Sequence, residues 1–302
     1  MVLAITSRSG RRGGMFYSSQ GVPMLTFKRL VLFAMSLLMM KTAAAESAPA
    51  SAARLGRVLM VMTSHDRYPG RNDGTGLWLA ELTHVYDVLT AAGYAVDFVS
   101  PKGGAVPLDP RSLGWPHADA AAKARLRDPA FTARLQSTRA AADIDPDAYL
   151  AIFYTGGHGT MWDFRDNPAL KRAAESIYRH GGIVASVCHG AAGLLELEAD
   201  DGRPLIEGRR VTGFSNLEET LSGVKDQVPY WLQSELEARG ARYEKSWVPF
   251  GSFVLTDGRI VTGQNPGSSK EVAWALLAAL PAAHPRQAEG LPSLGQDAHE
   301  NR

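Results

Sequence analysis

The sequence predicts an α/β fold in three layers, a mostly parallel sheet with helices on both faces. Apolar runs of strand length alternate with segments of helical period, which calls for parallel strands joined by crossover helices. The runs Val58–Met62 and Ile152–Tyr154 are continuous rather than alternating, as strands buried on both faces are. One further apolar run, Gly182 to Val187, ends at Cys188, and a small-residue helix follows at once; this is the strand–nucleophile–helix turn called a nucleophile elbow.

In chain order, Arg57–Thr63 reads as the first strand. Gly76–Ala92 carries helical spacing through Leu77, Ala80, Glu81, His84 and Val88, and Gly93 closes it. Tyr94–Ser100 is the second strand, stopped by Pro101. Residues 102–147 break the rhythm, being rich in Pro, Ala, Asp and Arg, with one helix expected near Ala120–Ser137; they read as an insertion or small cap. The sheet resumes at Tyr149–Tyr154, followed by a helix over Pro168–His180, the strand Gly182–Val187 and a short helix Ala191–Leu197. Arg210–Phe214, Arg242–Val248 and Phe253–Leu255 are further strand candidates. Asp257-Gly258 supplies a hairpin turn into Ile260–Thr262, and a last helix spans Ser269–Leu280. The periodic segments form a single domain over 57–281, for which 302 residues with 45% hydrophobic content are ample.

The ends are different. Lys28-Arg29 precedes the apolar run Leu30–Met40, and small residues follow at Ala43 and Ala45, the pattern of a secretory signal peptide cut after Ala45. The run is shorter than the roughly 20 residues of a membrane span. Residues 1–45 are therefore expected to be a leader, with Met24 as an alternative start, and the mature chain to be exported to the periplasm or medium. Residues 46–56 read as a linker and 282–302 as a polar tail.

Charge is balanced, 32 Lys+Arg against 31 Asp+Glu, and basic runs do not exceed two residues, so nothing points to nucleic acid. The chain has one cysteine, which excludes an internal disulfide and leaves an inert core residue or a reactive thiol. Elbow spacing favours the thiol: Ser186 and Gly190, two before and two after Cys188, are small as the tight turn requires. A helix starting beside the sulfur is expected to lower its pKa from roughly 8.5 toward about 4–7 and keep it anionic.

His189 follows directly; its ring can turn toward the sulfur and its N–H toward an oxyanion. Thr155-Gly156-Gly157-His158-Gly159 follows a buried strand, so the Gly156 or Gly157 amide, with that of His189, would make an oxyanion hole. Glu81 lies on an otherwise apolar helix face and reads either as a solvated glutamate or as a buried one that tunes the thiol. Glu218 or Glu219 could orient the histidine, or could merely complement a helix N-terminus. His65, His84, His117 and His158 lack ligand spacing, and no metal or other cofactor is assigned.

These stretches resemble the DJ/PfpI superfamily of class I glutamine-amidotransferase-like proteins, in the branch of the heat-inducible chaperones that act as glyoxalase III and deglycase. The resemblance rests on Val58–Thr63, Gly76–Glu81, Val96–Pro101, Thr155–Gly159, Ser186–Gly190, Thr212–Phe214, Thr256–Arg259 and Asn265–Ser268, in the family's order. It implies a flavodoxin-like fold and a homodimer. It implies Cys188 as nucleophile, His189 as its base and Glu81 as the carboxyl contacting the thiol. Of the two later glutamates it favours Glu219, six places after Gly213. The implied reaction is cofactor-free conversion of methylglyoxal, a small 2-oxoaldehyde, to lactate. Repair of glycated protein side chains by the same chemistry is implied too. An export signal departs from a mostly cytosolic family. The competing readings are a holdase chaperone or oxidative-stress sensor without turnover, and a cysteine peptidase or amidotransferase-like hydrolase. Amidotransferases carry a late His-x-Glu pair, which the region Thr262–Pro266 lacks.

Overall fold

The computed structural model describes residues 55–281. The expected leader, its cleavage near Ala45, most of the linker and the tail lie outside the described residues. Among the described residues no helix is long and apolar enough to cross a membrane.

The first strands are β1 (Arg57–Val61), β2 (Ala95–Ser100), β3 (Arg139–Ala140), β4 (Ala151–Tyr154) and β5 (Ile183–Val187). They are followed by β6 (Arg210–Val211), β7 (Arg242–Tyr243), β8 (Val254–Asp257) and β9 (Ile260–Gly263). The helices are α1 (Leu79–Ala91), α2 (Ala120–Arg127), α3 (Pro129–Gln136), α4 (Thr160–Asp163), α5 (Pro168–Arg179), α6 (Asn216–Leu221), α7 (Leu232–Ala238) and α8 (Ser269–Ala279).

Seven strands form one sheet in the order β3-β2-β1-β4-β5-β9-β8. Every pairing in it is parallel except β8 with β9, so the mostly parallel α/β fold expected from the sequence is observed. The chain winds outward from β1 to β2 and then, in the opposite direction, from β4 to β5. Right-handed crossovers in opposite directions put α1 and α5 on opposite faces, which gives the three layers. Helix α8 packs on α1. The winding reverses between β1 and β4, and the carboxyl ends of strands at such a switch point open a crevice. β4 and β5 are buried along their whole lengths, which is why they read as unbroken apolar runs.

Several boundaries differ from expectation for local reasons. The helix expected over Ala120–Ser137 is two helices. Asp128 has extended backbone and caps α3 by accepting from the Ala130 and Phe131 amides, and Pro129 cannot continue α2. Within the segment 102–147, β3 pairs with the sheet edge at β2. The strand candidates Arg210–Phe214 and Arg242–Val248 shrink to β6 and β7, which pair with each other in a sheet of their own. In the hairpin, Asp257 pairs with Ile260, so the turn residues are Gly258-Arg259, one place later than expected, with Gly258 at φ 60°.

The elbow is present as the sequence implied. Val187 ends β5 in extended conformation, Cys188 adopts φ 57°, and a 3-10 helix over Cys188–Leu194 starts on the cysteine itself rather than at Ala191. Left-handed backbone at a residue with a Cβ costs about 1–2 kcal/mol, which the surrounding packing must hold in place. Gly190 is the device that lets the turn close, because a Cβ there would stand 2.3 Å from the Tyr154 carbonyl oxygen at the end of β4. The close atoms are backbone of Tyr154 and Thr155, which cannot step aside as a flexible side chain could. Gly190→Ala is expected to lower stability by about 3 kcal/mol, at the upper end of overpacking costs, and to displace Cys188. Chemical denaturation checks the first and the alkylation rate of the thiol the second; a variant as stable and as reactive as the parent contradicts this reading of the elbow.

Candidate active site

Two strand ends and one helix build the site. β5 delivers Cys188 and His189, the loop after β4 delivers Gly156, Gly157 and His158, and α1 presents Glu81. Cys188 is 2% exposed and its Sγ lies 3.3 Å from His189 Nδ1. The other ring nitrogen of His189, Nε2, is 2.7 Å from Glu219 Oε2. A cysteine, a histidine and a glutamate thus form a continuous array, all buried.

Glu219 is placed by α6, whose start is a capping box: Ser215 Oγ accepts from the Glu218 amide, and the Glu218 carboxylate returns a bond to the Ser215 amide. The two neighbouring glutamates are thereby separated. Glu218 also accepts from the Phe250 amide and from Asn265 Nδ2, each at 2.8 Å, and serves the scaffold. Glu219 turns to the histidines. Its Oε1 accepts from Ser222 Oγ at 2.9 Å and stands 3.0 Å from His158 Nε2. Burial opposes ionisation of Glu219, but the His189 and His158 rings outweigh it and hold the carboxyl well below its usual range. The His189 ring packs against two others, with centroids 4.0 Å from His158 and 4.2 Å from Phe214.

Glu81 is the opposite case. It is fully buried, neither carboxyl oxygen has a protein hydrogen-bond partner of normal geometry, and burial pushes its pKa up to about 8. A neutral carboxylic acid therefore sits beside the thiol at pH 7.

The sulfur departs from expectation. The helix N-terminus was expected to hold it anionic, yet burial raises the Cys188 thiol well above its ordinary range, with the nearby Glu81 carboxyl acting in the same direction and the His189 amide only partly opposing. The physical reason is scale. A seven-residue 3-10 helix offers a partial charge, whereas loss of water disfavours the full charge of a thiolate. The neighbouring His189 imidazole is the group that stands within reach of the thiol proton.

Of the expected oxyanion-hole groups, Gly157 and His189 line the cavity over the sulfur, and Gly156 does not. A Cβ on Gly156 would lie 2.3 Å from Glu81 Oε2 and 2.8 Å from Cys188 Cβ, so this residue fills the gap between the carboxyl and the elbow. The cavity measures about 630 Å³ and its wall includes Trp78, Phe214, Leu221 and Phe250. Arg111, Pro116, His117 and Asp119 also line it, so part of the 102–147 segment does cover the site.

Sequence reasoning missed two contributors. By spacing His158 is one of several scattered histidines and Arg111 belongs to no motif; the structure brings Arg111 Nη2 to 3.0 Å from His158 Nδ1. The His158 position at the carboxyl end of a buried strand, inside a glycine-rich loop, was the available signal. The other histidines lie apart from the array: His65 stacks on Trp162, and His84 pairs with Asp119 at 3.0 Å. His158, His189 and Glu219 do bring their ligand-type atoms within 4.8 Å of one another, a convergence invisible in their spacing.

A doubly wound α/β sheet with a buried Cys-His-Glu array on a nucleophile elbow defines a class of cysteine-centred α/β proteins. Within it, this chain belongs to the DJ-1/PfpI family, whose model matches residues 75–279. It is 32% identical to glyoxalase 3 of Candida albicans over 238 residues, covering 74% of this chain and 98% of that protein. It is 33% identical to the glutathione-independent glyoxalase HSP31 of Saccharomyces cerevisiae over 241 residues, again covering 74% and 98%. Among solved structures, glyoxalase III from Candida albicans superposes with TM-score 0.71 at 30% identity, covering 76% of this chain and 99% of that one. The rapid encystment protein of 24 kDa from Francisella tularensis gives 0.70 at 37% identity, covering 74% and 98%.

Burying Glu81 has a stability consequence. Its folded pKa of about 8 lies above the unfolded value of 4.5, so between these pH values the folded state holds a proton that the unfolded state has lost. Stability contributed by this group is complete below about pH 4.5 and is lost as pH rises through about 8. Glu81→Gln should remove this dependence: the variant's melting temperature relative to the parent is expected to rise steadily from pH 5 to pH 8.5. Parallel melting curves across that range would contradict a protonated Glu81.

Proposed function

We propose that this protein is a glutathione-independent glyoxalase of the glyoxalase III type, converting methylglyoxal and water to lactate without a cofactor. The observation that carries the proposal is the buried array in which His189 Nδ1 faces the Cys188 sulfur while Nε2 is tied to an ionised Glu219. Its support from outside the site is similarity, over nearly their whole lengths, to proteins named as glyoxalases.

The chemistry balances without an oxidant or reductant. Sγ of Cys188 bonds to the aldehyde carbon as the thiol proton passes to His189 Nδ1 and on to the aldehyde oxygen, giving a hemithioacetal. A base then removes the hydrogen from that carbon, forming an enediol, and returns a proton to the neighbouring carbon. The result is a thioester of lactate; water attacks it, the C–S bond breaks and the thiol is restored. His189 serves as the base, because Glu81 is already protonated at neutral pH. Glu219 stabilises the imidazolium that forms in each transfer. The protonated Glu81 carboxyl lies beside the sulfur as the group able to donate to charge that develops there, and the Gly157 and His189 amides are the donors for the substrate oxygen.

A raised thiol pKa suits this cycle. A thiol that ionises only as it attacks is protected from the oxidation that a standing thiolate invites. The cavity, about 630 Å³, far exceeds a three-carbon substrate, which favours admission of larger adducts such as glycated side chains as a second activity.

Two outcomes test the assignment. Purified protein with methylglyoxal should yield lactate without glutathione or added metal, and Cys188→Ser should lose at least about 10³-fold in kcat. Suppression of aggregation that persists in both proteins, with no lactate from either, would identify a holdase instead. Second, kcat/KM should decline as pH rises through about 8, because ionised Glu81 repels the developing anion. Glu81→Gln should abolish that alkaline limb while lowering neutral-pH activity by about 10²-fold; an unchanged limb would remove Glu81 from the mechanism.

A further inference from the structure

We propose that Arg111 and His158 form a positioning relay that sets the tautomer of the buried histidines, locking Glu219 into its bond with His189 and leaving His189 Nδ1 free to take the Cys188 proton. This rests on the glyoxalase reading only for its kinetic arm.

The derivation starts from a group with no choice. A guanidinium carries only donors and stays protonated. Arg111 is fixed in direction by Asp109, which is fully buried and accepts from Arg111 Nε at 3.0 Å and from Nη2 at 2.7 Å. Tyr68 packs at the same guanidinium and its hydroxyl accepts from Nη2. Nη2 has two hydrogens for three neighbours, Asp109 Oδ2, the Tyr68 oxygen and His158 Nδ1, so one hydrogen is shared; because Nη2 cannot accept, His158 Nδ1, 3.0 Å away, is on the accepting side. A neutral imidazole with a bare Nδ1 carries its hydrogen on Nε2, and that hydrogen points at Glu219 Oε1, 3.0 Å away. Glu219 then has Oε1 filled by His158 and Ser222, and its Oε2 is left for the His189 Nε2–H at 2.7 Å. With the hydrogen of His189 on Nε2, its Nδ1 lone pair faces Sγ at 3.3 Å. Each assignment follows from the one before.

The groups facing His158 are Arg111, Glu219, His189 and Tyr68, and its pKa is lowered to about 4, mainly by burial and by His189. The ring is therefore neutral at pH 7, as the relay requires. The relay also accounts for a cluster with the composition of a metal site. His158, His189 and Glu219 converge within 4.8 Å, but coordination through His158 Nε2 would move its hydrogen to Nδ1, against a cation that can only donate. Arg111 turns a potential ligand set into a hydrogen-bond chain.

The direct test is histidine 15N NMR on the full chain, which distinguishes ring nitrogens bearing hydrogen from bare ones. His158 in the parent protein is expected as the neutral Nε2–H tautomer from about pH 6 to 8.5. Arg111→Met should leave His158 as a mixture of tautomers, and Arg111→Lys, which still offers only donors, should restore Nε2–H. In the kinetic arm, Arg111→Met should lower kcat about tenfold, within the range seen when the partner of a site ligand is lost, with KM for methylglyoxal within about twofold. His158→Gln, whose amide can both accept from Arg111 and donate to Glu219, should retain more activity than His158→Leu. A parent protein showing His158 hydrogen on Nδ1 overturns the relay whatever its activity. An Arg111→Met variant with parental kcat and raised KM overturns it as well, since Arg111 would then act on substrate. Absence of lactate formation with the Nε2–H tautomer intact would count against the glyoxalase reading alone.

Discussion

One ionised carboxylate in a water-poor site organises everything around it. Glu219 is 3% exposed, and a buried charge survives there only when its lone pairs are filled. Ser222, His158 and His189 fill them. Remove those partners and the carboxyl would take up a proton, His189 would lose its orientation, and nothing would be placed to accept the proton of Cys188. The short helix α6, through its capping box, fixes where that carboxylate stands. The fold thus spends its sheet on delivering Cys188 and a six-residue helix on delivering Glu219.

Legibility in the sequence followed the range of each interaction. The elbow was legible because it is local: an apolar strand, a nucleophile and small residues two places to either side lie within a few positions, and Gly190 is small because Tyr154 backbone occupies the space. Glu219 was harder. Glu218 and Glu219 are adjacent and chemically identical, and only tertiary contacts divide them, the first held by Asn265 and the Phe250 amide and the second by the histidines. The resemblance to a family favoured Glu219, the one whose side chain reaches the histidines. Arg111 was out of reach, since 47 residues separate it from His158 and no local pattern requires them to meet. The break at Asp128-Pro129 and the one-residue shift of the hairpin turn were written in the chain, but their chemistry was outweighed by the longer periodic pattern around them.

The sign of the thiol shift marks where sequence reasoning fails in principle. An elbow places a helix start beside the sulfur, and on that basis alone a lowered pKa follows. How much water is lost at the same position depends on what packs above it, and that is supplied by residues far away in the chain, among them Phe214 and Glu81. Burial acts on a whole charge and the helix on a fraction of one, so burial wins.

The same principle explains why the site needs two carboxyl groups with opposite states. Glu81 and Glu219 begin with the same intrinsic acidity. Glu81 has no cation and no donor of normal geometry to compensate for burial, so it holds its proton to about pH 8. Glu219 has two imidazoles, so it gives its proton up. A pair of like groups driven apart by environment supplies an acid and a charge stabiliser within one buried pocket. In the proposed reaction this division places the neutral donor on the sulfur side and the anion behind the imidazole, where it stabilises the cation formed at each proton transfer. Had both glutamates been ionised, the thiolate and the enediol would meet a negative charge at the point where negative charge develops. Had both been neutral, His189 would lose the ionised partner that fixes its ring. Neither alternative gives a buried thiol a route to ionise, and the arrangement observed does.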